Sequence, residues 1–123
     1  MGESMIQVNR AAIRANLARI RAEAPAADVA AVVKADAYGL GLAGVLPMLD
    51  CGSFFVARLA EAVALRALAP HARIFVLDGV QDEIAPALAA HGLIPVLSSL
   101  EQIALWQARQ GGEAAVHVDT GMN

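Results

Sequence analysis

Lysine, cysteine and aromatic residues are scarce in this 123-residue sequence, in which aromatics make up only 4%. The single cysteine, Cys51, excludes a disulfide within the chain and is compatible with a reducing cytoplasm. No apolar run is long enough to cross a bilayer, and the first residues lack the basic and apolar regions of a signal peptide. Nine basic against twelve acidic residues give a formal net charge of -3, which argues against a nucleic-acid-binding surface. We therefore expect a cytoplasmic protein without nucleic-acid or membrane partners.

The shortage of lysine is the most informative of these features. Lys34 is the only lysine, and arginines supply all the other positively charged side chains. Lys34 follows the apolar run Ala-Ala-Val-Val, where an ammonium group loses hydration and its neutral form is favoured. A neutral amine attacks carbonyl carbons, as Schiff-base chemistry with a substrate or with pyridoxal phosphate requires. A lysine at the end of a strand can also extend to solvent without any catalytic role. Both interpretations stay open on the residue type alone.

Apolar segments typical of β-strands alternate with helical segments along most of the chain. The predicted strands are Val29–Val33, Phe54–Val56, Ile74–Leu77, Ile94–Leu97 and Ala115–Val118, with a further short strand at Met5–Val8. The predicted helices are one that Asn9 caps and Pro25 stops, followed by Leu42–Leu49, Leu59–Leu68, Asp82–Ala90 and Ser98–Ala108. Equivalent strand ends recur about every 20–22 residues, which is the pitch of a repeated βα unit.

This alternation predicts an α/β fold with a parallel sheet that helices cover on at least one face. The open doubly wound sheet and the (β/α)8 barrel share the pattern, and the even pitch without a long crossover favours the barrel. A complete barrel of this type needs about 250 residues. We therefore expect residues 1–123 to form about the first half of such a barrel, as the N-terminal part of a longer protein. A half-open sheet exposes edge strands and apolar surface, so we also expect self-association.

The segment that follows Lys34 has features of a binding loop. The Tyr38 phenol can donate a hydrogen bond to a phosphate oxygen, and Gly39 and Gly41 allow the backbone to approach a ligand closely. A helix that begins near Leu42 would present free N–H groups to an anion. The sequence thus predicts a reactive amine beside an anion-binding turn.

The same glycines also support a different hypothesis. Residues Gly39–Gly44 match the G-x-G-x-x-G fingerprint of dinucleotide-binding proteins, after a strand and before a helix. However, the loop between the strand and Gly39 is longer than the tight turn that this motif uses, and Arg58, not an acidic residue, follows the next strand. Arg58 would suit a 2′-phosphate, so an NADP-binding α/β module is the alternative prediction.

Three segments of the sequence resemble motifs of the alanine racemase family. "AVVKADAYGLG" resembles the pyridoxal-phosphate attachment motif, which in the family reads VVKANAYGHG or VVKADAYGLG. "FFVARLAEAVALR" is similar to the second-strand segment of the family, and "VHVDTGMN" to its later DTGM signature. The three occur in the family's order and span nearly the whole chain. The resemblance implies the N-terminal part of the cofactor-binding (β/α)8 barrel, followed in the family by the rest of the barrel and a C-terminal β-domain.

The resemblance also implies roles for individual residues. Lys34 matches the lysine that holds pyridoxal 5′-phosphate as an aldimine and abstracts the α-proton of D-alanine, and Tyr38 matches the tyrosine that hydrogen-bonds the cofactor phosphate. His117 stands where many members carry a lysine, sometimes carbamylated, that holds an arginine following the DTGM motif. His117 could contact that arginine, or it could simply fill the barrel wall. No metal is implied.

For the parent protein the resemblance implies a homodimeric, cytoplasmic enzyme that interconverts L- and D-alanine for peptidoglycan synthesis. In the family the second catalytic base is a tyrosine of the other subunit's C-terminal domain, and the later phosphate-binding loops lie beyond the segment seen here. We therefore expect the 123-residue chain alone to be inactive. A serine or broad-specificity racemase, and a non-catalytic pyridoxal-phosphate-binding protein, remain alternatives.

Overall fold

The structure is a computed structural model that describes residues 2–123, and within them strands alternate with helices. The strands are β1 (Ala31–Val32), β2 (Ser53–Val56), β3 (Arg73–Val76), β4 (Ile94–Leu97) and β5 (Ala115–Val116). The helices are α1 (Arg10–Glu23), α3 (Leu42–Val45), α4 (Leu59–Leu68), α5 (Ala85–Ala90) and α6 (Leu100–Ala108), with a 3-10 turn at Leu46–Met48. The short segment α2 (Lys34–Tyr38) is a turn of left-handed backbone.

The strands of residues 2–123 form one parallel sheet in the order β1-β2-β3-β4-β5. Each strand lies beside the next one in the chain, without the reversal of order that defines a doubly wound sheet. The predicted parallel βα repeat is therefore confirmed, in the order that a barrel uses. Val56 pairs with Val76, 20 residues further along, whereas Val76 pairs with Pro95, only 19 residues further along and just short of the predicted spacing. Such shifts are expected because the strands of a barrel are staggered.

The core lies between the sheet and the helices. Phe54 and Ile74 point from β2 and β3 into a cluster with Leu65 of α4 and Leu88 of α5, and all are buried. Because side chains alternate along a strand, Phe55 and its register partner Phe75 lie on the other face of the sheet. Their rings stack with centroids 4.6 Å apart and stay half-buried. This second face is the one that a closed barrel turns inward.

The helix predicted to begin after Asn9 does so, whereas α6 begins at Leu100, two residues after the predicted start at Ser98. Asn9 caps α1, and its Oδ1 accepts a hydrogen bond from the N–H of Ala12 at 3.0 Å. Ser99 caps α6 by accepting from the N–H of Gln102 at 3.2 Å. Gly92, with φ of +58°, ends the turn after α5 in the left-handed conformation that glycine adopts readily. These capping residues and the glycine determine where the helices begin and end between the strands.

Several predicted elements are shorter in the structure, among them the helix predicted at Asp82–Ala90, which begins at Ala85, and two differ more strongly. The predicted strand at Met5–Val8 is wrong: these residues are exposed and belong to no strand, because no described strand runs beside them to accept their hydrogen bonds. The predicted helix Leu42–Leu49 splits into α3 and the 3-10 turn at Leu46–Met48, which contains Pro47. Proline lacks the N–H that would continue the α-helical ladder. None of the helices within residues 2–123 combines the length and apolarity needed to cross a bilayer.

Arg66 ties together the amino ends of the strands. Its guanidinium donates to the carbonyl of Ala72, just before β3, at 2.6 Å. It also donates to the carbonyls of His91 at 3.0 Å and Gly92 at 2.9 Å, just before β4. Arg66 therefore organises the end of the sheet opposite to Lys34. In barrels this end contributes stability rather than catalysis.

Candidate active site

Lys34 follows the carboxyl end of β1. Val33 extends the strand by donating its N–H to the carbonyl of Phe55 at 2.9 Å, and its side chain is buried in the core. The next residue, Lys34, is half-buried and by alternation belongs to the inward face of the sheet. Barrel enzymes place their reacting groups at this end of the strands. The structure thus places Lys34 where the sequence predicts it.

The backbone after Lys34 forms one left-handed turn. Ala35, Asp36, Ala37 and Tyr38 have φ between 52° and 56°. Four consecutive residues with side chains in this region are costly, at about 1–2 kcal/mol each. Strain of this kind persists only where surrounding contacts hold it, and it concentrates at functional sites.

Asp36 closes the turn from within. Its Oδ1 accepts the N–H of Leu42 at 2.8 Å, and its carbonyl accepts the N–H of Gly41 at 3.0 Å. The N–H groups of Gly39 and Leu40 donate to the carbonyls of the preceding turn at 2.8 and 3.2 Å. The prediction that the start of the helix at Leu42 offers free N–H groups is therefore wrong at Leu42. The hydrogen bonds from Gly39 to Leu42 also leave these groups unavailable to a dinucleotide phosphate, which argues against the NADP alternative.

Glu61 holds the turn from outside. Its Oε1 accepts the N–H of Ala35 at 2.5 Å, while its Oε2 accepts the N–H groups of Ala57 at 2.8 Å and Arg58 at 3.0 Å. The loop after β1 and the start of α4 are joined by this one carboxylate. Sequence reasoning missed this residue. The available signal was an acidic residue three positions after Arg58, the residue that precedes α4.

Lys34 and Tyr38 end up on the same side of the turn. The Lys34 Nζ atom lies 5.9 Å from the centroid of the Tyr38 ring, and 62% of Tyr38 is exposed. An amine that can bind an aldehyde and a phenol that can donate to a phosphate are thus close enough for one small ligand to touch both. The residues present fit pyridoxal phosphate in the chemistry of their donors.

His117 is not part of this pair. It follows β5, donates its N–H to the carbonyl of Leu97 at 2.8 Å and is half-buried. The sheet order places β1 and β5 at opposite edges, with three strands between them. Arg58 follows β2, the strand next to β1, but its side chain is 81% exposed and its Nε is 3.9 Å from the Asp78 carboxylate. The structure therefore unites Lys34 and Tyr38, and leaves His117 on the far side.

The family model described as "Alanine racemase, N-terminal domain" matches residues 8–123. The chain belongs to the alanine racemase family. It is 48% identical over 126 residues to the alanine racemase of Methylobacterium nodulans, a match that covers 96% of this chain and 34% of that protein. It is also 48% identical to a protein of Agrobacterium fabrum named "Alanine racemase, catabolic", over 95% of this chain and 32% of the relative. The chain thus spans about a third of the length of these racemases.

Solved racemase structures share the fold. The alanine racemase of Bartonella henselae, whose structure contains covalently bound pyridoxal phosphate, superposes with a TM-score of 0.84 at 35% identity. That match covers 94% of this chain and 36% of the other. A histidine racemase from Leuconostoc mesenteroides superposes with a TM-score of 0.79 at 28% identity, over 93% of this chain and 33% of that one. The parallel sheet described above is that of the N-terminal part of the alanine racemase barrel.

Proposed function

We propose that this chain is the N-terminal part, residues 1–123, of the barrel of a pyridoxal-phosphate-dependent alanine racemase. The observation that carries the proposal is the position of Lys34. The only lysine of the chain stands at the carboxyl end of β1, 5.9 Å from the Tyr38 ring, in a segment of this family. Support for the cofactor comes from the Bartonella henselae relative, whose structure contains it covalently bound.

Each residue has a distinct task in this proposal. Pyridoxal phosphate, when bound, supplies an electron-withdrawing ring that stabilises the negative charge left at the α-carbon when a proton is removed. Lys34 would hold the cofactor through Nζ; once the amino group of the substrate takes its place on the cofactor, the released Nζ amine would accept the α-proton on one face of the substrate. Tyr38 donates its O–H to the phosphate and so orients the cofactor. His117 follows β5, at the opposite edge of the sheet from β1, and is proposed as a barrel-wall residue.

Alanine is the proposed substrate because the curated relatives at 48% identity are alanine racemases. The histidine racemase neighbour shares the same fold, so this region does not by itself select the amino acid. We propose further that the complete enzyme is a cytoplasmic homodimer and makes D-alanine for peptidoglycan. The Agrobacterium fabrum relative is also named an alanine racemase, but a catabolic one. The name of the reaction therefore does not determine whether it supplies D-alanine for synthesis or serves the breakdown of alanine.

The proposal is tested by expressing the complete reading frame and measuring conversion of L-alanine to D-alanine with added cofactor. L-Serine and L-histidine serve as competing substrates, and Lys34→Ala is the matched control. We expect alanine to turn over fastest and the control to show no turnover above background. Faster turnover of serine or histidine would overturn the substrate, and turnover by Lys34→Ala would overturn the role of Lys34.

We also propose that the 123-residue chain alone does not racemise alanine, since it offers one proton-transferring residue where two faces of the substrate must be served. The same assay on the isolated chain should give no D-alanine above the Lys34→Ala background. Clear turnover by the isolated chain would refute this part of the proposal.

A further inference from the structure

The carboxylate of Glu61 connects two backbone segments, one at Ala35 and the other at Ala57, which is 22 residues further along the chain. One oxygen, Oε1, accepts from Ala35, which directly follows Lys34. The other, Oε2, accepts from Ala57 and Arg58, at the end of β2 and the start of α4. The two oxygens of one carboxylate therefore satisfy N–H groups in both segments at once.

The contact with Ala35 acts directly on the backbone of Lys34. The N–H of Ala35 lies in the same planar peptide unit as the Cα and carbonyl of Lys34. A hydrogen bond that fixes the direction of this N–H therefore fixes the backbone rotation at Lys34. That rotation determines the direction in which the Lys34 side chain extends from the sheet. It also begins the left-handed turn that contains Tyr38.

The left-handed turn needs such an external contact. Its alanines have no side-chain acceptor of their own, and each pays a conformational cost of about 1–2 kcal/mol. Asp36 holds the far end of the turn through Leu42, and Ala37 is buried in the core. Glu61 supplies the contact at the near end, beside Lys34.

We infer that Glu61 is a positioning residue for Lys34: its carboxylate locks the peptide after Lys34 to the start of α4 and so fixes the amine relative to Tyr38. The inference rests on the proposed function, because it assigns Glu61 to the same reaction. Glu61 does not touch the reacting atoms and transfers no proton.

Two conservative variants separate this role from simple capping of α4. Glu61→Asp keeps the charge at the helix start, which favours anions, but is one methylene shorter and cannot span both segments. Glu61→Gln keeps the length but has one acceptor oxygen, and its NH2 group would face an N–H donor. Both variants should leave α4 formed while releasing the peptide after Lys34. Arg66→Ala is the matched control, since it removes several hydrogen bonds from the same helix at the opposite end of the sheet.

The test uses the complete protein with pyridoxal phosphate. Three properties are measured: amide hydrogen exchange at Ala35, circular dichroism of the bound cofactor, and kcat and KM for alanine. Glu61→Asp and Glu61→Gln should speed exchange at Ala35 about tenfold and lower kcat about 10- to 100-fold, with a changed cofactor dichroism and a smaller effect on KM. Arg66→Ala should lower the unfolding temperature and leave Ala35 exchange, dichroism and kcat as in the wild type. If the Glu61 variants match the wild type in exchange and kcat, and differ only in unfolding temperature, the inference is wrong.

Failure of the proposed function gives a different result. If the wild-type protein forms no adduct at Lys34, the proposed function fails whatever the Glu61 variants do. Exchange at Ala35, measured without cofactor, still reports whether Glu61 holds this peptide. If the wild type carries the adduct and the Glu61 variants have wild-type exchange and kcat, the positioning role alone is refuted.

Discussion

The Nζ atom of Lys34 lies 5.9 Å from the centroid of the Tyr38 ring, across a single left-handed turn of backbone. In an extended loop, the Cα atoms of two residues four positions apart would be separated by about 13 Å. The turn therefore brings an amine and a phenol together at the carboxyl end of β1. Two carboxylates hold this strained backbone in place: Asp36 accepts the N–H of Leu42, and Glu61 accepts the N–H of Ala35.

Asp36 should tolerate asparagine and not alanine. Asparagine adopts the left-handed conformation readily and keeps a side-chain oxygen that can accept from Leu42. Alanine lacks the acceptor, and we expect Asp36→Ala to lower the free energy of unfolding by about 1–2 kcal/mol. Urea unfolding of the two variants measures the difference. Equal losses for Asp36→Asn and Asp36→Ala would show that the Asp36–Leu42 contact does not stabilise the turn.

Gly111 should be intolerant of any side chain. A Cβ atom at this position would overlap the indole ring of Trp106, which is buried and donates Nε1–H to the carbonyl of Gly112 at 3.0 Å. Gly111→Ala should therefore cost about 1–3 kcal/mol by overpacking. Gly112→Ala is the matched control, because its Cβ would meet open space. Trp106 is the only tryptophan, so its fluorescence during thermal unfolding reports the effect directly. Similar unfolding temperatures for the two variants would contradict the prediction.

The turn at Asp119 should depend on pH. The N–H groups of Asn123 and Gly121 donate to its carboxylate, and these bonds hold the pKa of Asp119 below its usual value of 3.8. The contacts therefore stabilise the turn above that value and are lost as pH falls through the lowered pKa. Carbon NMR of the Asp119 carboxyl should show a midpoint below 3.8, with the amide shifts of Asn123 following the same curve. A midpoint at or above 3.8, or amide shifts that do not follow it, would contradict the assignment.

The isolated 123-residue chain should self-associate. Within the described residues, β1 and β5 pair on one side only, and Val32, Val116 and Val118 are exposed. A groove of about 350 Å³ beside β5 is lined by apolar side chains that include Leu97 and Ile103. Unpaired strand edges next to apolar surface favour association.

Sedimentation velocity over a range of concentrations measures this association. We expect the average mass to rise with concentration, and Val116→Lys, which places a charge on the edge strand, to reduce the effect. A single monomeric species at every concentration would refute the prediction.

Much of the fold could be predicted from local patterns. The bounds of α4 at Leu59–Leu68 and of β4 at Ile94–Leu97 were predicted correctly, because apolar periodicity and flanking Pro or Gly residues define such elements locally. The Met5–Val8 strand could not be judged this way, since a strand exists only where a second strand accepts its hydrogen bonds. Pairing is a property of the fold and not of the segment.

The site was only partly predictable for the same reason. The placement of Lys34 and Tyr38 followed from the strand end and the motif, and their roles in catalysis remain predictions. Nothing about Ala35 or Ala37 favours a left-handed turn, since alanine prefers right-handed helix. The contact from Glu61 to Ala35 links residues 26 positions apart, beyond the reach of local patterns.

The central claim, that Lys34 binds the cofactor, is tested most directly by borohydride reduction of the complete protein loaded with pyridoxal phosphate, followed by peptide mapping. Lys34 is the only lysine among these 123 residues, so a modified side chain in this segment is assigned without ambiguity. We expect a reduced cofactor adduct on Lys34 and none in this segment of the Lys34→Arg variant. An adduct on another residue of the wild-type protein, with Lys34 unmodified, would contradict it.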